Sequence, residues 1–200
     1  IFPGAVISAV PQDLKFQGED TTAEVGDNNK IRENVTINRG TAAKGKTCVG
    51  SGNLLMESVH VAHDAFVGND CIIGNGTKLA GEIIIDDHAI ISANVLMHQF
   101  CRVGGYTMVG GGTRFSQDIP PYTICAREPV AYCGLNLVGL RRRGFSNELI
   151  ENIHNAYRII YQGGVPLNEA LQKVREEVPA SPEINYIIEF IENSKRGFVH

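Results

Sequence analysis

A cluster of two histidines and one aspartate is the clearest chemical signal in the sequence. His60, His63 and Asp64 lie within five consecutive residues, in the order His-Val-Ala-His-Asp. An imidazole titrates near neutral pH and can act as a general base, while a neighbouring carboxylate can hold its second ring nitrogen. Taken alone, two histidines three residues apart are a weak signal, and surface positions or a ladder of stacked side chains are the favoured interpretation. The elements that position this cluster must therefore decide its role.

The sequence around the cluster repeats every six residues. Every sixth residue is large and apolar at Val49, Leu55, Val61, Val67, Ile73, Leu79, Ile85, Ile91, Met97, Val103, Val109 and Phe115. A period of six is not a multiple of 3.6, so an α-helix cannot keep these residues on one face. Short strands joined by tight corners can point them all inward and stack in parallel ladders about 4.8 Å apart. The repeat predicts a parallel β-helix over residues 1–121.

Breaks in the repeat indicate loops. The same phase continues upstream through Ile1, Ile7, Val25, Ile31 and Ile37, and it fails at Asp13, Glu19 and Ala43. We therefore expect loops over residues 11–22 and 41–48, and loops on a rigid scaffold are where binding residues tend to lie. Because Ile1 already fits the phase and no initiator Met precedes it, we also expect further coils before this sequence.

The period changes after Pro120-Pro121. Residues 122–144 contain Pro129 and several glycines and are expected to form a connector. A C-terminal helical segment is predicted over 145–200, with a first helix capped by Ser146 and further helices over 167–178 and 183–194. This segment is too small for a large core of its own, so we expect it to pack on the β-helix or on a neighbouring subunit.

Composition excludes several classes of protein. Hydrophobic residues make up 43% of the chain and charged residues 20%, which is typical of a folded soluble domain. The net charge of −4 gives no reason to expect nucleic acid as a partner. Five cysteines without a C-x-x-C motif favour a reducing compartment over a disulfide framework. No apolar run is long enough to span a bilayer, so we expect a protein that is not integral to a membrane.

Several blocks of the sequence resemble a single enzyme family. They are QDLKF (12–16), NKIRENVTINRGT (29–41), GSGNLLMESVHVAHDAFVGN (50–69), LAGEIIIDDHAII (79–91), HQFCRVGGYTMVGGGTRFSQDIPPY (98–122) and GLNLVGLRRRGFS (134–146). In this order they resemble the acyl carrier protein-dependent UDP-N-acetylglucosamine O-acyltransferases, which begin lipid A synthesis and belong to the hexapeptide-repeat acyltransferase superfamily. The resemblance implies a left-handed parallel β-helix, shaped as a triangular prism with three hexads per turn, and a small helical tail.

The resemblance also implies an activity. Such enzymes move an (R)-3-hydroxyacyl chain from acyl carrier protein to the 3-hydroxyl of UDP-N-acetylglucosamine. They need no cofactor or metal, since the carrier thioester is a substrate. We accordingly expect a homotrimer with sites between subunits, in the cytoplasm of a Gram-negative bacterium.

Three residues match the family's catalytic groups. His63 matches the general base, Asp64 matches the carboxylate beside it, and Gly81 matches the glycine whose backbone N–H holds the oxyanion. With three hexads in each turn, His63, Gly81, Gln99 and Gln117 fall on one edge, and Gly81 lies one rung, about 4.8 Å, from His63.

Further residues match substrate contacts. Asp13 matches a residue that holds the sugar hydroxyls, and Lys15 one that approaches the diphosphate. His60, His98 and Gln99 match further contacts with the nucleotide sugar. Asn136 and Arg142 match residues that reach the nucleotide from an adjacent subunit, and Met108 and Gly111 match the region that ends the acyl groove. A glycine at position 111 leaves space for a long acyl chain.

The chain departs from the family pattern at three positions. Glu82 and Asn38 stand where relatives have histidines, and Val138 stands where they have a glutamate. These differences leave open whether the acceptor is a 3-hydroxyl or a 3-amino sugar.

Other functions stay open at this point. The related N-acyltransferase of the same pathway and a coenzyme A-dependent sugar acetyltransferase share the fold class. A zinc hydratase of the γ-carbonic anhydrase type is less favoured, because its paired histidines are spaced more widely than His60 and His63. A non-enzymatic β-helix scaffold is the remaining alternative.

Overall fold

The computed structural model describes all 200 residues. Short strands stack in three mostly parallel sheets, which form the faces of a prism. The first face contains β1 (Val6–Ala9), β4 (Thr36–Asn38), β7 (His60–Val61), β10 (Lys78–Leu79), β13 (Leu96–Met97) and β16 (Arg114–Phe115). The second contains β2 (Thr22–Val25), β5 (Lys46–Val49), β8 (Phe66–Val67), β11 (Ile84–Ile85) and β14 (Arg102–Val103). The third contains β3 (Lys30–Ile31), β6 (Leu54–Leu55), β9 (Ile72–Ile73), β12 (Ile90–Ile91), β15 (Met108–Val109), β17 (Thr123–Ala126) and β18 (Ala131–Leu135).

The six-residue repeat places its large residues inside the prism. In each two-residue strand the second residue is buried, and Val61, Leu79 and Ile85 are fully inaccessible to solvent. Residues 18 positions apart pair in register, as His60 does with Lys78. The parallel β-helix predicted from the repeat is therefore confirmed. Many corner residues other than glycine, including Asp64 and Glu82, have a positive φ, because the chain turns from one face to the next at one fixed position of the repeat.

Two excursions leave the regular coil. They lie between β1 and β2 and between β4 and β5. The second excursion is shorter than the predicted loop over 41–48, because Lys46–Val49 already forms β5, which pairs in register with β2 and β8. The first excursion ends where β2 begins, at Thr22, which is the last residue of the predicted loop over 11–22.

The segment over 122–144 is more ordered than the expected connector. It contains β17, β18 and a short helix, α1 (Leu137–Arg142). Strand β17 continues the third face by pairing in parallel with β15, and β18 returns antiparallel to β17. The hexad period could not reveal this hairpin, because its strands are longer than two residues and end the repeat.

Three helices follow: α2 (Asn147–Gln162), α3 (Leu167–Glu177) and α4 (Pro182–Glu192). Ser146 caps α2, its side chain accepting a hydrogen bond from the Leu149 N–H at 3.1 Å. The helices share an apolar cluster with Tyr122 and Leu135, and the Tyr157 hydroxyl donates to the carbonyl of Pro121 at 2.6 Å. The helical segment therefore packs on the C-terminal end of the same chain's prism. None of the helices combines the length and the apolar character needed to cross a membrane.

Candidate active site

His63 lies at the corner that follows β7, next to the first face of the prism. Its Nδ1 is 2.8 Å from Oδ2 of Asp64, whose side chain is completely buried, while the His63 side chain keeps 15% of its surface exposed. An ionised carboxylate can only accept a hydrogen bond, so Nδ1 carries the proton. This tautomer leaves the lone pair on Nε2, the nitrogen available to accept a proton from a substrate.

Asp64 is held by donors on both carboxylate oxygens. The Thr41 backbone N–H donates to Oδ1 at 2.9 Å and the Thr41 hydroxyl to Oδ2 at 2.6 Å. Burial by itself raises the pKa of Asp64, but the hydrogen bonds from Thr41 and His63 together outweigh burial and lower that pKa below its ordinary value. Asp64 is therefore ionised at neutral pH and fixes the orientation of the His63 ring.

Gly81 lies one rung along the prism from His63. A Cβ at this position would come within 2.6 Å of Cε1 and 2.7 Å of Nε2 of the imidazole, so only glycine fits under the ring. The Gly81 N–H makes no hydrogen bond within the protein. At related corners the N–H groups of Asn69 and Gly105 are taken by side chains of Asp87 and Tyr186. Gly81 therefore offers an open donor beside the imidazole of His63.

An open cleft of about 390 Å³ runs along this edge. Its lining residues are Gln12, His60, Ala62, His63, Lys78, Leu79, Ala80, Gly81, Leu96, Met97 and Gln99. Gln99 occupies the next rung after Gly81, as β10 and β13 pair in register. The exposed His98 contacts the Gln99 carbonyl through Nδ1 at 3.1 Å. The cleft brings four of the predicted site residues together, and it adds Gln12 and Lys78, which sequence matching did not single out.

His60 flanks the same cleft in a different environment. Its Nδ1 is 2.6 Å from the Thr36 hydroxyl. Burial lowers the pKa of His60, and the nearby positive charge of Lys78 lowers it further. His60 therefore stays neutral at physiological pH, which suits a hydrogen-bonding contact.

The first excursion brings a second carboxylate near His63. Oδ2 of Asp13 lies 4.0 Å from Nε2 of His63. The other oxygen of Asp13 accepts a hydrogen bond from the Lys15 N–H at 2.9 Å, which fixes the loop locally. Asp13 thus faces Nε2 of His63, and its contact with sugar hydroxyls stays a prediction.

Four predicted residues lie away from His63 within one chain. Met108 and Gly111 belong to β15 and the corner after it, on the third face, whereas His63 follows a first-face strand. Asn136 is only 5% exposed, and its side chain donates to the Tyr106 carbonyl and accepts from the Gly139 N–H, so it caps α1. Arg142 is exposed at the end of α1. Their predicted contacts with substrate stay predictions.

The three residues that differ from the family pattern have distinct surroundings. Glu82 directly follows Gly81, and its Oε2 lies 3.8 Å from Nζ of Lys44 in the second excursion. Asn38 is buried, and its Nδ2 donates to the Val10 carbonyl at 3.0 Å, so it anchors the first excursion. Val138 is exposed on α1. Glu82 is adjacent in sequence to Gly81, which lines the cleft.

A larger cleft, of about 760 Å³, lies between β18, α1 and α2. Arginines at three positions line it: Arg127, Arg141 and Arg158. It contains none of the residues of the His63 cluster. The larger cleft also contains a histidine and a carboxylate, His154 and Glu151, but both side chains are more than half exposed and no buried group orients them. The smaller cleft is the candidate active site, because it combines the oriented imidazole of His63 with the open N–H of Gly81.

Comparison with known proteins identifies close relatives. Residues 118–199 match the family described as UDP-N-acetylglucosamine O-acyltransferase, domain 2. The crystal structure of a UDP-N-acetylglucosamine acyltransferase from Bacteroides fragilis shares 74% identity with a TM-score of 0.98, over 100% of this chain and 78% of that chain. The Acinetobacter baumannii structure shares 38% identity with a TM-score of 0.94, over 98% and 77%. The corresponding acyltransferase of Arabidopsis shares 33% identity with a TM-score of 0.94, over 100% and 73%. These relatives are left-handed β-helices, and this chain has the same hand.

Proposed function

Because this chain belongs to the UDP-N-acetylglucosamine O-acyltransferase family, we propose that it acylates the 3-hydroxyl of UDP-N-acetylglucosamine with His63 as the general base. The chain is an acyltransferase of the first step of lipid A synthesis. The acyl donor is a (R)-3-hydroxyacyl thioester of acyl carrier protein. The observation that carries the role of His63 is its geometry, with Nδ1 held by buried Asp64 and an open N–H donor at Gly81 one rung away.

The mechanism follows from these groups. Nε2 of His63 removes the proton from the 3-hydroxyl as its oxygen attacks the thioester carbonyl carbon, and the Asp64 carboxylate stabilises the resulting imidazolium. The carbonyl oxygen becomes an oxyanion that accepts a hydrogen bond from the Gly81 N–H. Collapse of the tetrahedral intermediate breaks the carbon–sulfur bond, and the leaving thiolate takes the proton back from His63. The ester and the free carrier thiol are the products.

Asp13 supports acceptor binding in this scheme. Its carboxylate lies 4.0 Å from Nε2 of His63, on the side from which a hydroxyl would approach. A sugar with hydroxyls at adjacent carbons can donate one of them to Asp13 while presenting another to His63. Lys15, two residues along the same loop, would place its positive charge near the diphosphate.

We infer that a second copy of the chain completes the acyl groove. Met108 and Gly111 lie on a face of the prism that does not contain His63. Side chains on the outer surface of that face are apolar and half-buried, as at Leu54, Ile72 and Ile90, so the face is suited to packing against another subunit. A homotrimer of this kind would bring the third face of one subunit beside the His63 cleft of the next.

The proposal is tested by a transfer assay on the full-length protein. Purified protein is incubated with labelled UDP-N-acetylglucosamine and (R)-3-hydroxyacyl carrier proteins of several chain lengths, and the acylated sugar nucleotide is measured. His63→Ala should lower kcat at least about 10²-fold, while His154→Ala, an exposed histidine of α2, should retain wild-type rates. Absence of transfer with every chain length would contradict the proposal.

The alternatives have separate readouts. A preference for a 3-amino sugar nucleotide in the same assay would favour an N-acyltransferase, and turnover with acetyl-coenzyme A alone would favour a sugar acetyltransferase. Stoichiometric zinc in the purified protein would favour a hydratase. Native mass spectrometry reports the oligomer, and a monomer would contradict the shared groove.

A further inference from the structure

We propose that Thr41 is a positioning residue of the acyl transfer, acting through Asp64 on the orientation of His63. This inference rests on the proposed function of His63. Thr41 does not line the cleft, but it is the only residue that donates two hydrogen bonds to the Asp64 carboxylate. It thereby extends the His63–Asp64 pair to a chain of three residues.

Asp64 has little freedom because all of its donors come from fixed groups. The Thr41 N–H occupies Oδ1 at 2.9 Å, while Oδ2 is shared by the Thr41 hydroxyl at 2.6 Å and His63 Nδ1 at 2.8 Å. The Asp64 N–H also donates to the hydroxyl of Thr47 at 2.8 Å. A carboxylate that accepts hydrogen bonds on both oxygens cannot rotate about its terminal torsion. The position of His63 Nδ1, which donates to this carboxylate, is therefore fixed as well.

The direction of the Thr41 hydroxyl is set by a neighbour. The Ala43 N–H donates to the Thr41 oxygen at 3.2 Å, which leaves the hydroxyl hydrogen free to point at Asp64. Thr41 is only 6% exposed and the Asp64 side chain is fully buried, so water does not compete for this bond. A short hydrogen bond to a buried ion is stronger than one between neutral groups.

A purely structural role makes different predictions. Thr41 opens the second excursion, and its bonds to Asp64 could serve only to attach that loop to the prism. Loss of such an attachment would lower stability and disturb loop residues such as Lys44. Loss of a positioning contact instead lowers the rate of the chemical step, and it does so only while His63 is present to be positioned.

The experiment combines three variants with the transfer assay. In Thr41→Val the hydroxyl is replaced by a methyl of similar size, while Thr41→Ser keeps the hydroxyl. We expect Thr41→Val to lower kcat about 10- to 100-fold, with the KM for UDP-N-acetylglucosamine within about threefold of wild type, and Thr41→Ser to restore most of the rate. Thr123→Val is the matched control, as it removes another buried threonine hydroxyl, bonded to the Pro120 carbonyl and remote from His63, and should leave kcat unchanged.

A double-mutant comparison separates the two roles. In the His63→Ala background, Thr41→Val should cause no further loss of the residual rate. A further loss, wild-type kcat in Thr41→Val, or equal damage in Thr41→Ser would overturn the inference. If Thr41→Val does not fold, as judged by circular dichroism, Thr41→Ala removes the same hydroxyl without placing an apolar methyl against the Asp64 carboxylate. Full activity in His63→Ala would instead refute the proposed function, so the two failures are distinguishable.

Discussion

Gly81 lies so close beneath His63 that a single methyl group at this position would meet the imidazole ring. The Cβ of an alanine there would stand 2.6 Å from Cε1 and 2.7 Å from Nε2. The same glycine has an unpaired N–H next to the base. The missing side chain leaves room for the imidazole, and the free N–H lies beside it because Gly81 occupies the corner one rung from His63.

Gly81→Ala should therefore abolish most of the activity without unfolding the protein. The new methyl would displace the imidazole or its substrate, and we expect kcat to fall at least about 10²-fold. Gly50→Ala is the matched control, since a Cβ there also meets its neighbouring rung, at 2.6 Å from the Gly68 carbonyl oxygen, but far from the base. Both variants should lose thermal stability, and only Gly81→Ala should lose activity at a temperature where both are folded. Equal activity in Gly81→Ala and Gly50→Ala would contradict the proposed role of Gly81 beside His63.

Asp64→Asn should impair catalysis through the tautomer of His63. A neutral amide can donate to Nδ1 and move the proton to Nε2, where it blocks the base, so kcat should fall by about 10²- to 10⁴-fold. Glu24→Gln is a suitable control, because it removes an exposed carboxylate on the second face that pairs with Lys46. Steady-state kinetics across pH 6–9 provide the measurement, and a variant with wild-type kcat would show that Asp64 does not orient the base.

Asp64 also makes stability depend on pH. Its pKa is lowered in the folded protein, so the folded state binds this proton less readily than the unfolded state. The resulting stabilisation is present above the ordinary aspartate pKa of about 4 and is lost as the pH falls through the folded value. The difference in Tm between wild type and Asp64→Asn should shrink from pH 7 to pH 3, at a fixed protein concentration. A constant difference would contradict the prediction.

Asp13→Ala should weaken acceptor binding more than donor binding. Hydrogen bonds from sugar hydroxyls to a carboxylate are worth about 1.5–3 kcal/mol, so the KM for UDP-N-acetylglucosamine should rise about 10- to 100-fold. The KM for acyl carrier protein should change little. Asp20→Ala, at an exposed residue of the same excursion, is the control and should behave as wild type. An unchanged acceptor KM in Asp13→Ala would remove this residue from the site.

Gly111→Leu should shorten the preferred acyl chain. In the proposed site the added side chain would occupy space at the end of the acyl groove, and each methylene that it excludes is worth about 0.8 kcal/mol, or roughly fourfold in affinity. Competition between (R)-3-hydroxyacyl carrier proteins of different lengths measures the shift. Ala93→Ser is the control, because Ala93 lies beside Gly111 and a serine there adds little volume, so the variant should keep the wild-type preference for chain length. Gly134→Leu is unsuitable as a control, because Gly134 has a φ of +111°.

The fold can be predicted from the sequence because the signal is periodic. Twelve consecutive hexads each contribute one buried residue, as at Val61 and Leu79, and a regular repeat leaves few ways to bury them. The shared edge of His63, Gly81 and Gln99 followed from the same period, and the observed register agrees with it. The hairpin of β17 and β18 lay outside the repeat, so the period could not predict it.

The sequence alone determined the β-helix, the rung on which each hexad lies and the identity of the candidate base. Only the tertiary structure decided which residues reach that base from outside the repeat. Thr41 and Asp13 belong to excursions that have no period, and their contacts with Asp64 and His63 depend on how those loops fold back over the prism. A repeat fixes positions along the prism axis, whereas contacts made by a loop depend on its own turns and hydrogen bonds.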